Sequence, residues 1–411
     1  MLSFLSGFMP RKGVPRRIHL DYASATPVHP LVYQAMRPYF QEHWANPSAV
    51  HTEGVRARQA VEGARLTVAR TLRVRSEDIV FTSGGTESNN LAILGVIEHL
   101  HAAGRAFDDM EILTTKIEHP SVLEAVSTLG TRGVRTVYAP VLESGRIDME
   151  AFKTLLSPKT VLVTIAYVNS EVGVVQDIKK VTRIVRAWNT EKTMGVLTHV
   201  DASQAPLWFS CAMDMLGADL LTLDAGKCYG PKGVGVLVRR HRVPLHPVTF
   251  GGGQEGGLRS GTENVPLVVG CAKAIERAQE QYEARSAGVK KIRDFFLTLL
   301  KEKIPETVIN GSLEYRAPNN VNISIPGLDS EYAVIWLDTH GVAASTKSAC
   351  GVGKGNGSDV VRAMSGDEQR ALSTIRFTLG EETTEKDVAR AVDVLATHCA
   401  RVQDSRNVLS Q

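Results

Sequence analysis

The chain has 411 residues, 43% apolar and 22% charged, the composition of a folded globular protein, which excludes disordered, collagen-like and membrane-spanning classes. Lysine and arginine (47) exceed aspartate and glutamate (44) by only three, too little for the basic field that backbone-driven nucleic-acid binding requires. The length predicts two or three domains, or one large α/β domain with a smaller companion.

The first 17 residues carry Arg11, Lys12, Arg16 and Arg17 and no acid. These charges follow the apolar start instead of preceding it, the reverse of a secretory signal, so a flexible tail over 1–17 is expected. From residue 78 to 239, short β-branched runs alternate with turns and helical periods, the pattern of a mainly parallel sheet wrapped by helices. The predicted strands are 79–82, 112–115, 135–138, 161–168, 195–200, 220–223 and 234–238, with helices starting near Thr86, Pro120, Met149 and Ile178. After a glycine-rich stretch at 251–261 come a long helical segment at about 265–303, a strand at 321–325, a helix at 330–339 and a strand at 374–379. These predict a smaller α+β domain. The expected division is a large domain at 18–264 and a small C-terminal domain at 265–411. No stretch reaches the ~20 apolar residues that span a bilayer.

The five cysteines, Cys211, Cys228, Cys271, Cys350 and Cys399, are widely spaced and form no C-x-x-C pair. They predict neither a disulfide framework nor a metal site, and they favour a reducing compartment, the cytoplasm.

In open α/β sheets ligands lie outside the carboxyl ends of the strands, so the residues directly after each run are the candidates. The first exit, Ser83-Gly84-Gly85-Thr86-Glu87-Ser88, is a glycine turn opening a helix, where free N–H groups favour an anion such as phosphate. It also reads as an ordinary helix start with Thr86 as N-cap. His119 stands at the mouth of the next helix, as a polar loop residue or as an imidazole for chemistry. Asp201 and Gln204 follow the fifth run, and Asp224-Ala225-Gly226-Lys227 follows the sixth. A carboxylate and an amine at neighbouring strand ends suit a pyridine cofactor, the acid holding a proton on the ring nitrogen and the lysine amine forming an imine with the cofactor; a plain ion pair is the alternative. The run Gly251 to Gly256 matches G-x-G-x-x-G but opens no amphipathic helix, so it does not read as a dinucleotide site. Cys350 lies near Lys347 and Lys354 and is followed by glycine at every second position. That predicts a mobile loop carrying a thiol of lowered pKa, an inert buried cysteine being the other reading.

These residues resemble a cysteine desulfurase, a class V aminotransferase of the pyridoxal-phosphate-dependent transferase fold type I. The blocks run from Leu20-Asp21-Tyr22 through Asn46-Pro47-Ser48, the Gly85-Thr86 turn, Glu118-His119 and Val168-Asn169. They continue with His199-Val200-Asp201-Ala202-Ser203-Gln204, Lys227 before Tyr229-Gly230-Pro231-Lys232-Gly233, Arg259-Ser260-Gly261-Thr262, Ser348-Ala349-Cys350 and Ile375-Arg376-Phe377. The resemblance implies a large domain with a seven-stranded sheet, a smaller C-terminal domain carrying the catalytic cysteine loop, and pyridoxal 5'-phosphate as cofactor. Lys227 is implied as the lysine that bonds to it, Asp201 as partner of the ring nitrogen, His119 as the imidazole on the ring and Gln204 as donor to the ring hydroxyl. Gly85 and Thr86 are implied at the phosphate, and Thr262 reaches it from the neighbouring subunit of a homodimer. Asn169, Ser170, Asp224 and Gly226 complete the cofactor pocket, Arg376 and Asn46 hold substrate, and Cys350 takes sulfur from L-cysteine as a persulfide for an iron–sulfur scaffold or a tRNA-thiolation protein. The chain departs from the family pattern in two places. Asp224-Ala225-Gly226 stands where Ser-x-His is usual, putting a carboxylate beside the phosphate, and Ser170 replaces a second asparagine. Two further readings follow: selenocysteine lyase or aminotransferase-like chemistry, and a non-catalytic scaffold for sulfur-transfer partners.

Overall fold

The computed structural model describes residues 17–190, 195–241, 243–346 and 357–409. Almost all of the expected tail and the Cys350 segment, including Lys347 and Lys354, lie outside the described residues.

In chain order the described strands are β1 (Ile18–His19), β2 (Ile79–Thr82), β3 (Glu111–Thr115), β4 (Arg135–Ala139), β5 (Thr160–Ala166), β6 (Leu197–Asp201), β7 (Leu220–Asp224), β8 (Gly235–Arg239), β9 (Val308–Ile309), β10 (Asn320–Ser324), β11 (Val342–Ala343) and β12 (Thr374–Thr378). Seven of them form one sheet in the order β2-β8-β7-β6-β5-β3-β4. β8 runs antiparallel to both neighbours, and the other pairs are parallel. This is the mainly parallel seven-stranded sheet expected from the sequence. Its central strands are buried along nearly their whole length, which is why they read as β-branched and apolar runs with no strict polar alternation.

The chain passes from β3 out to β4 and returns on the other side of β3 as β5, creating a switch point where the loops after β3 and β5 part. The helix Gly85–Ala102 covers one face of the sheet. Its Leu91, Ile93, Val96 and Ile97 join Ile112, Leu162, Leu220 and Leu237 in one apolar cluster, each such side chain contributing about 1.5–3 kcal/mol when fully buried. That packing fixes where the N-terminus of the helix points, which is toward the strand ends.

The second part is a three-stranded antiparallel sheet, β12-β10-β9, with the helices Tyr282–Lys303 and Glu385–Leu409 packed on each other beside it. The segment read as one helix at 265–303 is two, Val265–Glu280 and Tyr282–Lys303, interrupted at Gln281 (φ −121°, ψ 6°). Two features cross the division drawn at residue 264. The helix Val265–Glu280 packs against Thr52–Leu72 and Pro30–Met36, and β1 pairs in parallel with β11. The N-terminal residues after β1 are therefore carried to the second part of the chain, where Asp21 bridges Thr378. No helix of the described residues is long and apolar enough to cross a membrane.

Candidate active site

The exits of β3, β5, β6 and β7 open on one cavity. Of the expected residues, Gly85, Thr86, His119, Asn169, Ser170, Asp201, Gln204, Asp224, Lys227 and Arg376 line it. Gly226 adds its N–H to Asp224 Oδ1 at 2.8 Å. Asn46 and Thr262 are exposed and outside this lining.

Lys227 ends the short turn Ala225–Lys227 that follows β7. Its Nζ donates to the carbonyls of Ala23 (3.0 Å) and Ser24 (2.5 Å), and Gln204 Nε2 donates to the same Ala23 carbonyl at 2.9 Å. The N-terminal segment thus sets the position of the amine. Asp201 ends β6. Its Oδ1 accepts from the Ser203 N–H (3.0 Å) and hydroxyl (2.6 Å), and its Oδ2 accepts from Asn89 Nδ2 (2.8 Å). Three donors orient a carboxylate that is 8% exposed.

Asn89 also donates to Ser121 Oγ at 2.8 Å, leaving the Ser121 hydroxyl to face His119 Nδ1 at 2.8 Å, beside the Ser121 N–H at 3.1 Å. With Nδ1 an acceptor, the network assigns the proton of the neutral ring to Nε2. Burial pushes the His119 imidazole below its ordinary value; the Lys227 charge acts the same way, and Asp201 and Asp224 oppose it. The ring is accordingly neutral at pH 7.

The neighbouring Glu118 is fully buried, and burial, with the Asp201 charge adding to it, pushes its carboxyl up to about 8, against the hydrogen bonds of Thr115 and Ala166. As a neutral acid it bonds Thr115 Oγ1 at 2.6 Å and accepts from the Ala166 N–H at 2.7 Å, tying the β3 exit to the end of β5.

Arg376, on β12, enters the cavity from the second part of the chain. Its Nη2 donates to Asp21 Oδ1 (2.7 Å) and Ser24 Oγ (2.9 Å), and Nη1 donates to the Ser170 carbonyl (2.9 Å). Asn169 spends its amide on the turn after β5: Oδ1 accepts from the N–H groups of Glu171 (2.9 Å) and Val172 (2.8 Å), and Nδ2 donates to the Ile117 carbonyl (2.7 Å). Ser345 pairs with Arg376 through two backbone bonds, 3.1 and 2.7 Å, so the described chain approaching the Cys350 segment passes beside this arginine.

Sequence reasoning did not single out Asn89, Ser121, Ser203 or Ser24. Asn89 had a signal: it lies three residues after Thr86 on a helix, hence on the same face. Ser24 and Ser203 are short polar residues in turns, where the sequence carries no periodicity, and Ser121 is the second residue of the short helix Pro120–Gly130.

The cavity offers what pyridoxal phosphate requires at its ring: a carboxylate for the ring nitrogen, a neutral imidazole, and an amine. Two buried polar atoms of the lining residues, Asn89 Oδ1 and Arg376 Nε, have no hydrogen-bond partner among the described residues, and a polar ligand satisfies such atoms. The ring end fits. At the other end Thr86 is open to the cavity, while the Gly85 N–H is engaged by Asp224 Oδ2 at 3.1 Å.

The sequence profile of the aminotransferase class-V family matches residues 18–391, and the chain belongs to that family. Cysteine desulfurase IscS of Dictyoglomus turgidum is 38% identical over 380 residues, 92% of this chain and 94% of its own. A solved structure described as a NifS-like protein superposes with a TM-score of 0.86 at 33% identity, covering 93% of this chain and 99% of its own. Another, described as SspA in complex with cysteine, gives 0.76 at 31% identity over 89% and 100%. Within the class, the chain falls among the cysteine desulfurases.

Proposed function

We propose that the cavity binds pyridoxal 5'-phosphate and that the chain uses it to take sulfur from L-cysteine, releasing L-alanine and leaving a persulfide on Cys350. The observation that carries this reading is the placement of Lys227 and Asp201 on one small cavity, with His119 close enough to feel both charges.

Bound there, the cofactor supplies an aldehyde that condenses with an amine and a protonated ring that draws electrons from the substrate α-carbon. Lys227 provides the resident amine, held by the Ala23 and Ser24 carbonyls. Asp201 holds the proton on the ring nitrogen. Gln204 faces the cavity as a donor, and Thr86 has an N–H and a hydroxyl for the phosphate. His119, carrying its proton at Nε2, would hold a proton for the substrate carbon that keeps the C–S electron pair when the sulfur passes to Cys350, a role typically worth ~10²–10⁴ in rate. Arg376 presents a planar fork to the substrate carboxylate, with Nε the arm that has no partner.

In the overall exchange the C–S bond of L-cysteine breaks and an S–S bond forms at Cys350. One thiol proton ends on the alanine methyl group and the other stays on the persulfide, so atoms and electrons balance without an external oxidant. The reading extends to a homodimer in which Thr262 reaches the partner's cofactor, and to an iron–sulfur scaffold or tRNA-thiolation protein as acceptor. A reducing compartment, the cytoplasm, suits Cys211, Cys228, Cys271 and Cys399, which are free and buried.

The test is incubation of the cofactor-loaded protein with L-cysteine, measuring alanine and mapping the persulfide by mass spectrometry. Alanine release with sulfur on Cys350, abolished by Lys227→Ala, is the expected result. Alanine release that survives Cys350→Ala at full rate points to the lyase reading, and a loaded protein that yields neither product is the scaffold.

A further inference from the structure

We propose that Asp224 is an anion built into the subsite for the cofactor phosphate, so that this chain discriminates against the phosphorylated cofactor relative to its unphosphorylated form. The inference rests on the reading that the cavity takes pyridoxal phosphate.

The helix Gly85–Ala102 opens on the cavity at its N-terminus. Its first N–H groups and its dipole attract an anion, and Gly84 supplies no side-chain cap. An anion is already there: Asp224 Oδ2 accepts the Gly85 N–H at 3.1 Å. The other oxygen is anchored as well, Oδ1 accepting the Gly226 N–H at 2.8 Å. The carboxylate therefore bridges the end of β7 to the start of the helix.

The cradle has no slack to retreat. A Cβ on Gly85 would lie 2.8 Å from Ser203 Oγ and 3.3 Å from Asp224 Oδ2. A Cβ on Gly235, on the neighbouring strand β8, would lie 2.6 Å from the Gly84 carbonyl carbon. The turn is packed against backbone on one side and against this carboxylate on the other. The nearby Lys232 makes no ion pair with it among the described residues, its Nζ donating to the Thr26 carbonyl.

A phosphate monoester carries a charge of about −1.5 to −2 at pH 7. To use the Gly85 N–H it must displace Asp224 or share the site with it, and like charges at such range oppose each other strongly. Pyridoxal, which lacks the phosphate but keeps the aldehyde, ring nitrogen and ring hydroxyl, meets the same Lys227, Asp201 and His119 without that penalty. Asp224 thus sets the preference between the two forms.

The experiment uses the full chain freed of cofactor, titrated separately with pyridoxal phosphate and with pyridoxal, following the visible absorbance of the bound form. Wild type is compared with Asp224→Ser and with Asp224→Asn; the asparagine keeps an acceptor for the Gly226 N–H, and circular dichroism checks both folds. The expected result is that the variants bind pyridoxal phosphate about tenfold or more tightly than wild type, with pyridoxal affinity changed less than about threefold. Unchanged or weaker binding of pyridoxal phosphate in the folded variants overturns the proposal, as does an equal gain for both ligands. If neither ligand produces a bound band with any of the three proteins, the cofactor reading itself fails and the proposal goes with it.

Discussion

Asn89 and Asp201, 112 residues apart in the chain, are joined by a 2.8 Å hydrogen bond from Nδ2 to Oδ2. The second amide hydrogen of Asn89 goes to Ser121 Oγ, so one side chain positions both the acid on β6 and the serine behind His119. Asn89→Ala leaves a buried carboxylate oxygen and a buried hydroxyl each short of a partner. Each such group costs about 1–3 kcal/mol. The variant should unfold at lower urea concentration and bind pyridoxal phosphate more weakly, read by denaturation and by cofactor titration. Weakened binding without lost stability would mean that Asn89 contacts the ligand directly through its unpartnered Oδ1.

Glu118 makes stability depend on pH. Its carboxyl moves from the ordinary 4.5 to about 8 in the folded protein, so between those values the native state holds a proton that the unfolded chain has released. The folded state is then favoured most below 4.5 and loses that advantage as pH rises toward 8, by at most about 1.4 kcal/mol per pH unit. Glu118→Gln replaces the acid by a neutral amide of the same shape, within reach of the Thr115 hydroxyl and the Ala166 N–H, and removes this slope. Urea unfolding at pH 5, 6, 7 and 8 should show the variant gaining on wild type with each step; a constant difference would contradict the assignment.

Arg376 is the link between the second part of the chain and the cavity. Its side chain is 2% exposed and its ion-pair partner Asp21 is 20% exposed. Arg376→Lys keeps one charge but loses the fork, so it should raise KM for L-cysteine about tenfold or more while leaving the cofactor spectrum in place. Arg376→Ala strands Asp21, and removing one partner of a largely buried pair costs about 3 kcal/mol. Steady-state kinetics separate the first effect and equilibrium unfolding the second. Equal KM values for wild type and lysine variant would remove Arg376 from substrate binding.

The sheet was legible because β3 and β5 to β7 are buried along nearly their whole length and so appear as short runs rich in β-branched and leucine residues, bounded by turns. The helix Thr52–Leu72 was not singled out although it is 21 residues long. Its buried positions are mostly alanine and glycine, interleaved with arginine and glutamate, and give a weak apolar stripe. The site was legible wherever chemistry dictates a residue type at a strand end, as at His119, Asp201 and Lys227. It was hidden where a side chain serves a neighbour. Ser121 and Ser203 act through bonds to His119 and Asp201, and Asn169, expected at the cofactor, spends its amide on its own turn. The destination of the Asp224 carboxylate was likewise a matter of tertiary geometry: the sequence places a negative charge near the turn, and only the packing of β7 on the helix start shows it bonded to Gly85.

That same packing gives a paired test with glycines. In β8, a Cβ on Gly235 would sit 2.6 Å from the Gly84 carbonyl carbon, 2.7 Å from Gly84 Cα and 2.8 Å from the Leu223 carbonyl oxygen. All three are backbone atoms, which cannot rotate away, so Gly235→Ala must push the turn off the strand at an overpacking cost of about 1–3 kcal/mol. Gly63, inside the helix Thr52–Leu72, has nothing within 4 Å of the corresponding position. There Gly63→Ala gains about 0.5–1 kcal/mol, because alanine loses less backbone entropy in a helix. The urea midpoint should therefore fall for the first variant and rise for the second. The first should also bind both pyridoxal phosphate and inorganic phosphate more weakly, since displacing Gly84 moves the N–H groups at the start of the helix. A Gly235→Ala protein with wild-type midpoint and wild-type phosphate affinity would show that the turn is free to shift, and that the Gly85 N–H has room for both Asp224 and a phosphate.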